Sequence, residues 1–289
     1  MGDVLAGIHA TWEFESDAVV IRFERGIRTP KLLNALRERR IPHEALASVT
    51  LGPGKRGTVV LHAVPRDGAD PLMEAAAGQL KDGSDPYRLV LPADRETLAE
   101  YYRDELRAAL APYEDLGPAD RFLVAAPEGP QSFKAYDGKA SFDGKAEVSF
   151  RWFWTGASSE KWKAGDQTFR VRDLSGVEWR SPEILDGYLR LVRRDGHDAR
   201  PVQPDHDPAS VVFGLGYGPV HESLPFAASV LAAVRGTSER VPVAVQAAVP
   251  HRDPAGVAER IRHLGELHRA GLVTDEEFSA KKAELLAEL

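Results

Sequence analysis

Cysteine is absent from all 289 residues. Disulfides, thiolate zinc sites and cysteine nucleophiles are thereby excluded, and a reducing compartment is compatible with that absence. Long hydrophobic runs are missing too. The longest apolar-looking stretch, Leu224 to Val234, is about half a membrane span and reads as a helix packed on a core. The opening Met1-Gly2-Asp3-Val4-Leu5-Ala6 shows no basic n-region and no apolar h-region, so no secretory signal is expected, and Ala6 lacks the hydroxyl of a myristoylation motif. Positive charge is in deficit: 37 Lys and Arg stand against 44 Asp and Glu, a net charge of −7. That balance argues against nucleic acid as a partner of the whole chain. No Ser/His/Asp order, phosphate-cradling glycine loop or paired-carboxylate motif stands out. No catalytic, cofactor-binding or metal-ligating residue is therefore assigned, and a non-enzymatic protein is expected.

What is present is repetition. With 43% hydrophobic and 28% charged residues the composition is that of a soluble globular chain, and its length suits about two domains. Phe14 and Phe142 each close a short aromatic-rich strand, 128 residues apart. At the same offset Ile41, Leu46, Val49 and Leu51 meet Phe169, Leu174, Val177 and Trp179. Later, Leu89, Leu91, Tyr102, Leu106 and Leu110 meet Phe213, Leu215, Phe226, Val230 and Val234 at an offset of 124. An offset constant within elements and changing between them is what loop insertions leave in a duplicated domain.

In the first copy Trp12 and Phe14 lead through a turn into Val19, Ile21 and Phe23, alternating with polar or exposed-phase positions. In the second, Ala140 and Phe142 lead through Asp143-Gly144-Lys145 into Val148, Phe150 and Trp152. Keeping buried with buried pairs Val19 with Val148, one residue further along, because a one-residue slip flips every side chain. Ser48 to Leu51 and Gly57 to Leu61 follow in copy one, aligned with Gly176 to Trp179 and Gly187 to Leu191 in copy two. Each copy then has a polar excursion read as a surface loop, a last strand after Asp85-Pro86 or Asp207-Pro208, and a closing amphipathic helix. Asp94 and Ser223 are the expected caps of those helices. Several antiparallel strands closed by one C-terminal helix is the pleckstrin-homology-like plan. The fold class is thus mainly β (α+β): two tandem β-sandwich or barrel domains, each closed by a helix, plus a C-terminal α-helical hairpin.

The expected boundaries are 1–111 for copy one, 112–131 for a linker, 132–235 for copy two, 236–252 for a second linker and 253–289 for the hairpin. Within the second linker, Val241-Pro242-Val243-Ala244-Val245 reads as a tether. In the hairpin Asp253-Pro254 open a helix, Gly271 stops it, and Thr274 with Glu277 form a capping box for the next. Two such helices have too little core to stand alone.

The run Leu264-x-x-Leu267, Gly271, Thr274-x-x-Glu277-Phe278, then Lys282-x-x-Leu285-Leu286 closely resembles the SHOCT module (short C-terminal domain), which implies oligomerisation. The apolar positions Ile261, Leu264, Leu267, Phe278, Leu285 and Leu286 would carry it. The repeated domain resembles the actinobacterial domain of unknown function 4429. The resemblance rests on Phe142-Asp143-Gly144, Asp186-Gly187-Tyr188-Leu189 and Asp207-Pro208-Ala209-Ser210-Val211-Val212-Phe213. Copy one departs from it, with Glu15-Ser16 in place of Asp-Gly. That family implies no activity.

Three stretches are candidate contacts. Arg22 to Arg40 holds seven basic residues, among them Arg28, Lys31, Arg37, Arg39 and Arg40, which suit an anionic membrane surface; Leu32, Leu33 and Leu36 mark a short helix inside it. Copy two offers Phe153 and Trp162 as a partner-binding patch, while Phe150, Trp152 and Trp154 share the buried phase. His197-Asp198 and Asp205-His206-Asp207 read as loop polarity, not as a metal site. The leading expectation is a cytoplasmic interaction protein, homo-oligomeric through its hairpin, with an unidentified protein partner. The alternative is a peripheral membrane protein at the inner face, held by the basic stretch.

Overall fold

The computed structural model describes residues 3–184, 186–194 and 202–240, with backbone only for 238–240. Residues 1–239 form one compact unit.

Copy one begins with an antiparallel meander, β1 (Asp3–Ala6), β2 (Ala10–Phe14), β3 (Ala18–Phe23) and β4 (Glu38–Pro42), with the short helix α1 (Lys31–Leu36) between the last two. A second meander follows: β5 (Leu46–Pro53), β6 (Thr58–Pro65) and β7 (Arg88–Pro92), with helix α2 (Pro71–Ala76) in the β6–β7 connection. Helix α3 (Glu96–Leu110) closes the copy. Copy two repeats the order with β8 (Gln131–Lys134), β9 (Gly138–Phe142), β10 (Glu147–Trp152), α4 (Ser159–Ala164) and β11 (Gln167–Arg170). It ends with β12 (Leu174–Arg180), β13 (Tyr188–Arg193), β14 (Ser210–Val212) and α5 (Val220–Arg240). The protein is mainly β, two tandem β domains each closed by a helix.

The registers fix the repeat. Phe14 faces Val19 and Phe142 faces Val148, so the extra turn residue of copy two lies where the buried phase demands it. Ile41 faces Val19 as Phe169 faces Val148. Two expected equivalences shift. Leu51 faces Leu61 and Trp179 faces Leu189, which aligns β6 with β13 at an offset of 128; pairing Gly57–Leu61 with Gly187–Leu191 is off by two. Leu61 faces Leu89 and Leu189 faces Val211, so Leu89 corresponds to Val211, not Phe213. A two-residue slip keeps the same side chains inward, so periodicity alone does not expose it. The Asp-Pro turns agree with the corrected register, since the side chains of Asp85 and Asp207 accept from Tyr87 N–H and Ala209 N–H respectively.

β1 and β4, and their counterparts β8 and β11, lie outside the expected strand set. In β4 Arg39 and Ile41 face inward and Glu38 and Arg40 outward, a period-two pattern disguised because one inward residue is an arginine. Asp94 does not cap α3; it lies in a 3-10 turn, and α3 has no side-chain cap. Ser223 lies inside α5, where its hydroxyl donates to the carbonyls of Gly218 and Pro219 and accepts from Trp179 Nε1.

The copies share a core. Leu32 of α1 and Leu72, Ala75 and Ala76 of α2 are buried in the same cluster as Phe142, Phe150, Trp179 and Phe226 of copy two. The β6–β7 excursion is therefore a docking element, not a surface loop. Beyond α2, Gln79 donates to the Trp179 carbonyl at 3.0 Å and accepts from Ser181 N–H at 2.9 Å, pairing its amide with the end of β12. Arg235 of α5 bonds Gly68 O and both carboxylate oxygens of Glu74, its guanidinium 3.8 Å above the Phe122 ring. Segment 112–131 packs as well: Val124 is buried in the copy-one core with Ala119 and Leu123 against it.

Candidate interaction surfaces

The basic stretch divides into three sets. Arg39 is buried, donating to both oxygens of Asp70 at 3.0 and 2.8 Å, and Asp70 also accepts from the Tyr87 hydroxyl and from Leu72 N–H at the start of α2. Inside the protein, Arg39 cannot meet a membrane; it braces the helix that joins the copies. Burial pushes the Tyr87 phenol well above its ordinary range, and the neighbouring Asp70 charge adds to that. Arg40 is exposed but bound to Asp17 and Glu15, and Arg22 to Glu13 and Glu38. Beside Arg40, the Asp17 carboxyl is held below its ordinary value. Arg28, Lys31 and Arg37 are exposed and, with Arg25, form no ion pair among the described residues. Arg37 ends α1 with a positive φ of 61°, at the position that Gly165 takes after α4 with φ 71°.

The aromatic patch of copy two is rearranged relative to expectation. Phe153 is half-buried and Trp162 is 49% exposed, but Trp154 is 79% exposed, although its phase matches the buried Trp152. The reason is that β10 stops at Trp152 and the chain turns, so alternation ends one residue short of Trp154. The Trp154 and Trp162 rings meet edge to face with centroids 5.2 Å apart.

Trp162 is held outward by its neighbour. Lys161, fully buried on α4, pairs with the buried Asp137 and lies 5.1 Å from the Trp152 ring centroid. Asp137 also accepts from Val212 N–H. Desolvation lowers the lysine pKa and raises that of the aspartate, opposed in each case by the partner's charge. One residue along a helix turns the direction by about 100°, so fixing Lys161 inward fixes Trp162 on the rim. In copy one the corresponding positions are Leu33, in the core, and His9, near Thr29. The ion pair is therefore a feature of copy two alone.

His206 contacts Glu160 at 2.9 Å and Asp205 at 3.4 Å, and the His206 bond holds the Glu160 carboxyl at about 2. Asp207 pairs with Arg190 at 2.8 Å. Among the described residues no group of His, Asp and Glu has the arrangement of a metal site, and no helix is long and apolar enough to cross a membrane. His197-Asp198, the tether at 241–245 and the hairpin residues Ile261, Leu264, Leu267, Phe278, Leu285 and Leu286 lie outside the described residues.

Comparison with known families matches residues 12–107 and 140–231 to the domain of unknown function DUF4429, one match per copy. Residues 259–286 match the short C-terminal domain, SHOCT. No curated protein matched the chain. With both β domains matched across most of their strands and closing helices, the chain belongs to the DUF4429 family, as two tandem copies followed by a SHOCT module.

Proposed function

We propose that the protein is a non-enzymatic cytoplasmic scaffold. Its two fused PH-like β domains act as one rigid recognition body, and its SHOCT hairpin multimerises that body. The observation that carries this reading is the Trp154–Trp162 pair, two indoles left in solvent on a rim braced by a buried ion pair. Exposed, rigidly held tryptophans are the side chains most enriched among residues that dominate protein–protein binding energy. A neutral hydrophobic core position, as in copy one, would be simpler to fold than the Lys161–Asp137 pair, since buried ion pairs seldom add net stability. Positioning of the rim supplies a reason for it. Multimerisation turns weak contacts into strong ones without new contacts, which gives the tail a purpose.

The test has two arms: solution mass of the full chain against a chain ending at Arg252, and photo-crosslinking in cells from position 162. A multimer that becomes monomeric on truncation, with a discrete crosslinked protein lost in Trp154→Ala, supports the scaffold. Monomers in both cases and no discrete crosslink overturn it.

A further inference from the structure

Two residues are more exposed than any other large hydrophobic among those described: Ile27 at 106% and Leu215 at 102%. Each sits second in a four-residue turn. Thr29 N–H bonds the Gly26 carbonyl across Ile27 and Arg28, and Tyr217 N–H bonds the Gly214 carbonyl across Leu215 and Gly216, whose φ is +81°. Turn tips ordinarily take Gly, Pro, Asn, Asp or Ser, because those residues fit the backbone and keep water. A β-branched isoleucine and a leucine serve neither end. One turn belongs to copy one and the other to copy two. The chain following the first turn and the second turn itself line one groove, which Pro30, Lys31, Leu215, Tyr217 and His221 share with Glu183.

The unpaired charges of the first turn are mostly cationic, and Glu183, which lines the groove beside the second, is paired with Lys81. Arg25, Arg28 and Lys31 are exposed and unpaired among the described residues, as is Arg37 at the end of α1, while Arg22, Arg39 and Arg40 are spent on Glu13, Glu38, Asp70, Asp17 and Glu15. Glu24 is the single acidic residue within the turn segment 24–31. In a protein of net charge −7 this is a local exception.

We infer that the Gly26–Thr29 and Gly214–Tyr217 turns together form a two-pronged docking surface for an anionic lipid bilayer, inserting Ile27 and Leu215 among the headgroups while Arg25, Arg28 and Lys31 bind phosphates. Charge complementarity selects the occupant. An aliphatic tip flanked by the unpaired cations Arg25, Arg28 and Lys31, with a second aliphatic tip bordering the groove that Lys31 lines, matches a surface that is apolar beneath and anionic above. Each cation near such a surface raises partition about fivefold, so three act on the order of a hundredfold, and each aliphatic side chain adds about tenfold when buried. Pro30 and Lys31, directly after the first turn, border the same groove as Leu215, and engagement of both prongs in one approach is what labels at the two tips test. The surface shares no residue with the tryptophan pair, and its failure would leave the scaffold reading untouched.

Because the chain has no cysteine, Ile27→Cys and Leu215→Cys in the full-length protein each carry one environment-sensitive fluorophore cleanly. The probes are vesicles of phosphatidylcholine alone and of equimolar phosphatidylcholine and phosphatidylglycerol. Both labels are expected to shift to the blue on the mixed vesicles and not on phosphatidylcholine. In sedimentation, Ile27→Ser with Leu215→Ser lowers partition at least tenfold, and Arg25→Glu with Arg28→Glu and Lys31→Glu removes it. All five side chains are exposed, so unchanged thermal melts confirm that the variants fold. A shift from one label only, no sedimentation even at low salt, or partition unaffected by either variant set overturns the proposal. Protection of the turns by a crosslinked protein with no vesicle binding overturns it equally.

Discussion

Arg39 and Asp70 form a buried two-bond ion pair, and its consequence lies in a different domain. Asp70 also starts α2, whose Leu72, Ala75 and Ala76 enter the core of copy two. An arginine in the strand of one copy thus sets the position of the helix that docks on the other. Removing one partner of such a pair leaves an uncompensated buried charge. Asp70→Ala is expected to lower unfolding free energy by about 3–5 kcal/mol in urea titration. Arg39→Met together with Asp70→Ala should recover much of that loss, since no charge is then stranded.

Tyr87 adds a pH dependence to the same network. The fold holds the Tyr87 proton more tightly than the unfolded chain does, because burial disfavours the phenolate. Below the ordinary phenol value of 10.0 both states keep the proton and pH has no leverage through this group. As pH rises above that value the unfolded chain releases it first, and stability falls. Thermal melts from neutral to strongly alkaline pH should show a steeper loss in the wild type than in Tyr87→Phe. The variant loses about 1 kcal/mol at neutral pH for the missing bond to Asp70. Equal alkaline slopes in the two proteins would contradict this role.

Copy two contains a natural control for Arg37. Gly165, after α4, takes the corresponding position with φ 71° and ψ −179°, while Arg37, after α1, holds φ 61° and ψ −72°, so the two share the positive φ but not the ψ. Such a conformation costs a residue with a Cβ on the order of 1–2 kcal/mol, partly offset by the greater unfolded-state freedom of glycine. Arg37→Gly is expected to raise stability by roughly 0.5–1 kcal/mol. A calorimetric Tm at or below the wild type refutes it. Because Arg37 makes no ion pair among the described residues, the loss of its charge should not obscure the gain.

The same residues explain what the sequence reveals and what it hides. The duplication is legible because apolar positions at strand and helix spacing survive in both copies. Phe14 stacks on Tyr102 with centroids 4.6 Å apart, and Phe142 meets Phe226 at 6.3 Å, the same contact between the second strand and the closing helix. β4 is hidden because its inward arginine finds its carboxylate 31 residues away, and no local pattern announces a distant partner. Trp154 misleads for the opposite reason: local alternation continues in sequence after the strand has ended. The fusion of the copies was legible only as a helix-compatible Pro71-Leu72-Met73 inside a polar excursion, because an apolar face says that something covers it but not what. The two turn tips carried one available signal, an aliphatic residue beside glycine in Gly26-Ile27 and Gly214-Leu215, and only exposure in the fold gives it meaning.

The shared core makes the two copies one cooperative unit. Four copy-one residues, Leu32, Leu72, Ala75 and Ala76, complete the copy-two cluster, and Gln79 and Arg235 close the boundary with hydrogen bonds in both directions. Leu72 is fully buried, so Leu72→Ala leaves a cavity at the junction and should cost about 2–5 kcal/mol. If the copies were independent, calorimetry would show two transitions and the substitution would move one of them. The shared cluster instead demands one transition for residues 1–239, displaced as a whole to lower temperature by Leu72→Ala, with the calorimetric and van't Hoff enthalpies remaining equal. A fragment spanning 132–240 lacks those four side chains and exposes part of its core. It should be less stable than copy two within the full chain and cleaved faster by protease. A fragment as stable as the intact protein would mean that the junction is a contact between finished domains, and Leu72→Ala would then act on copy one alone.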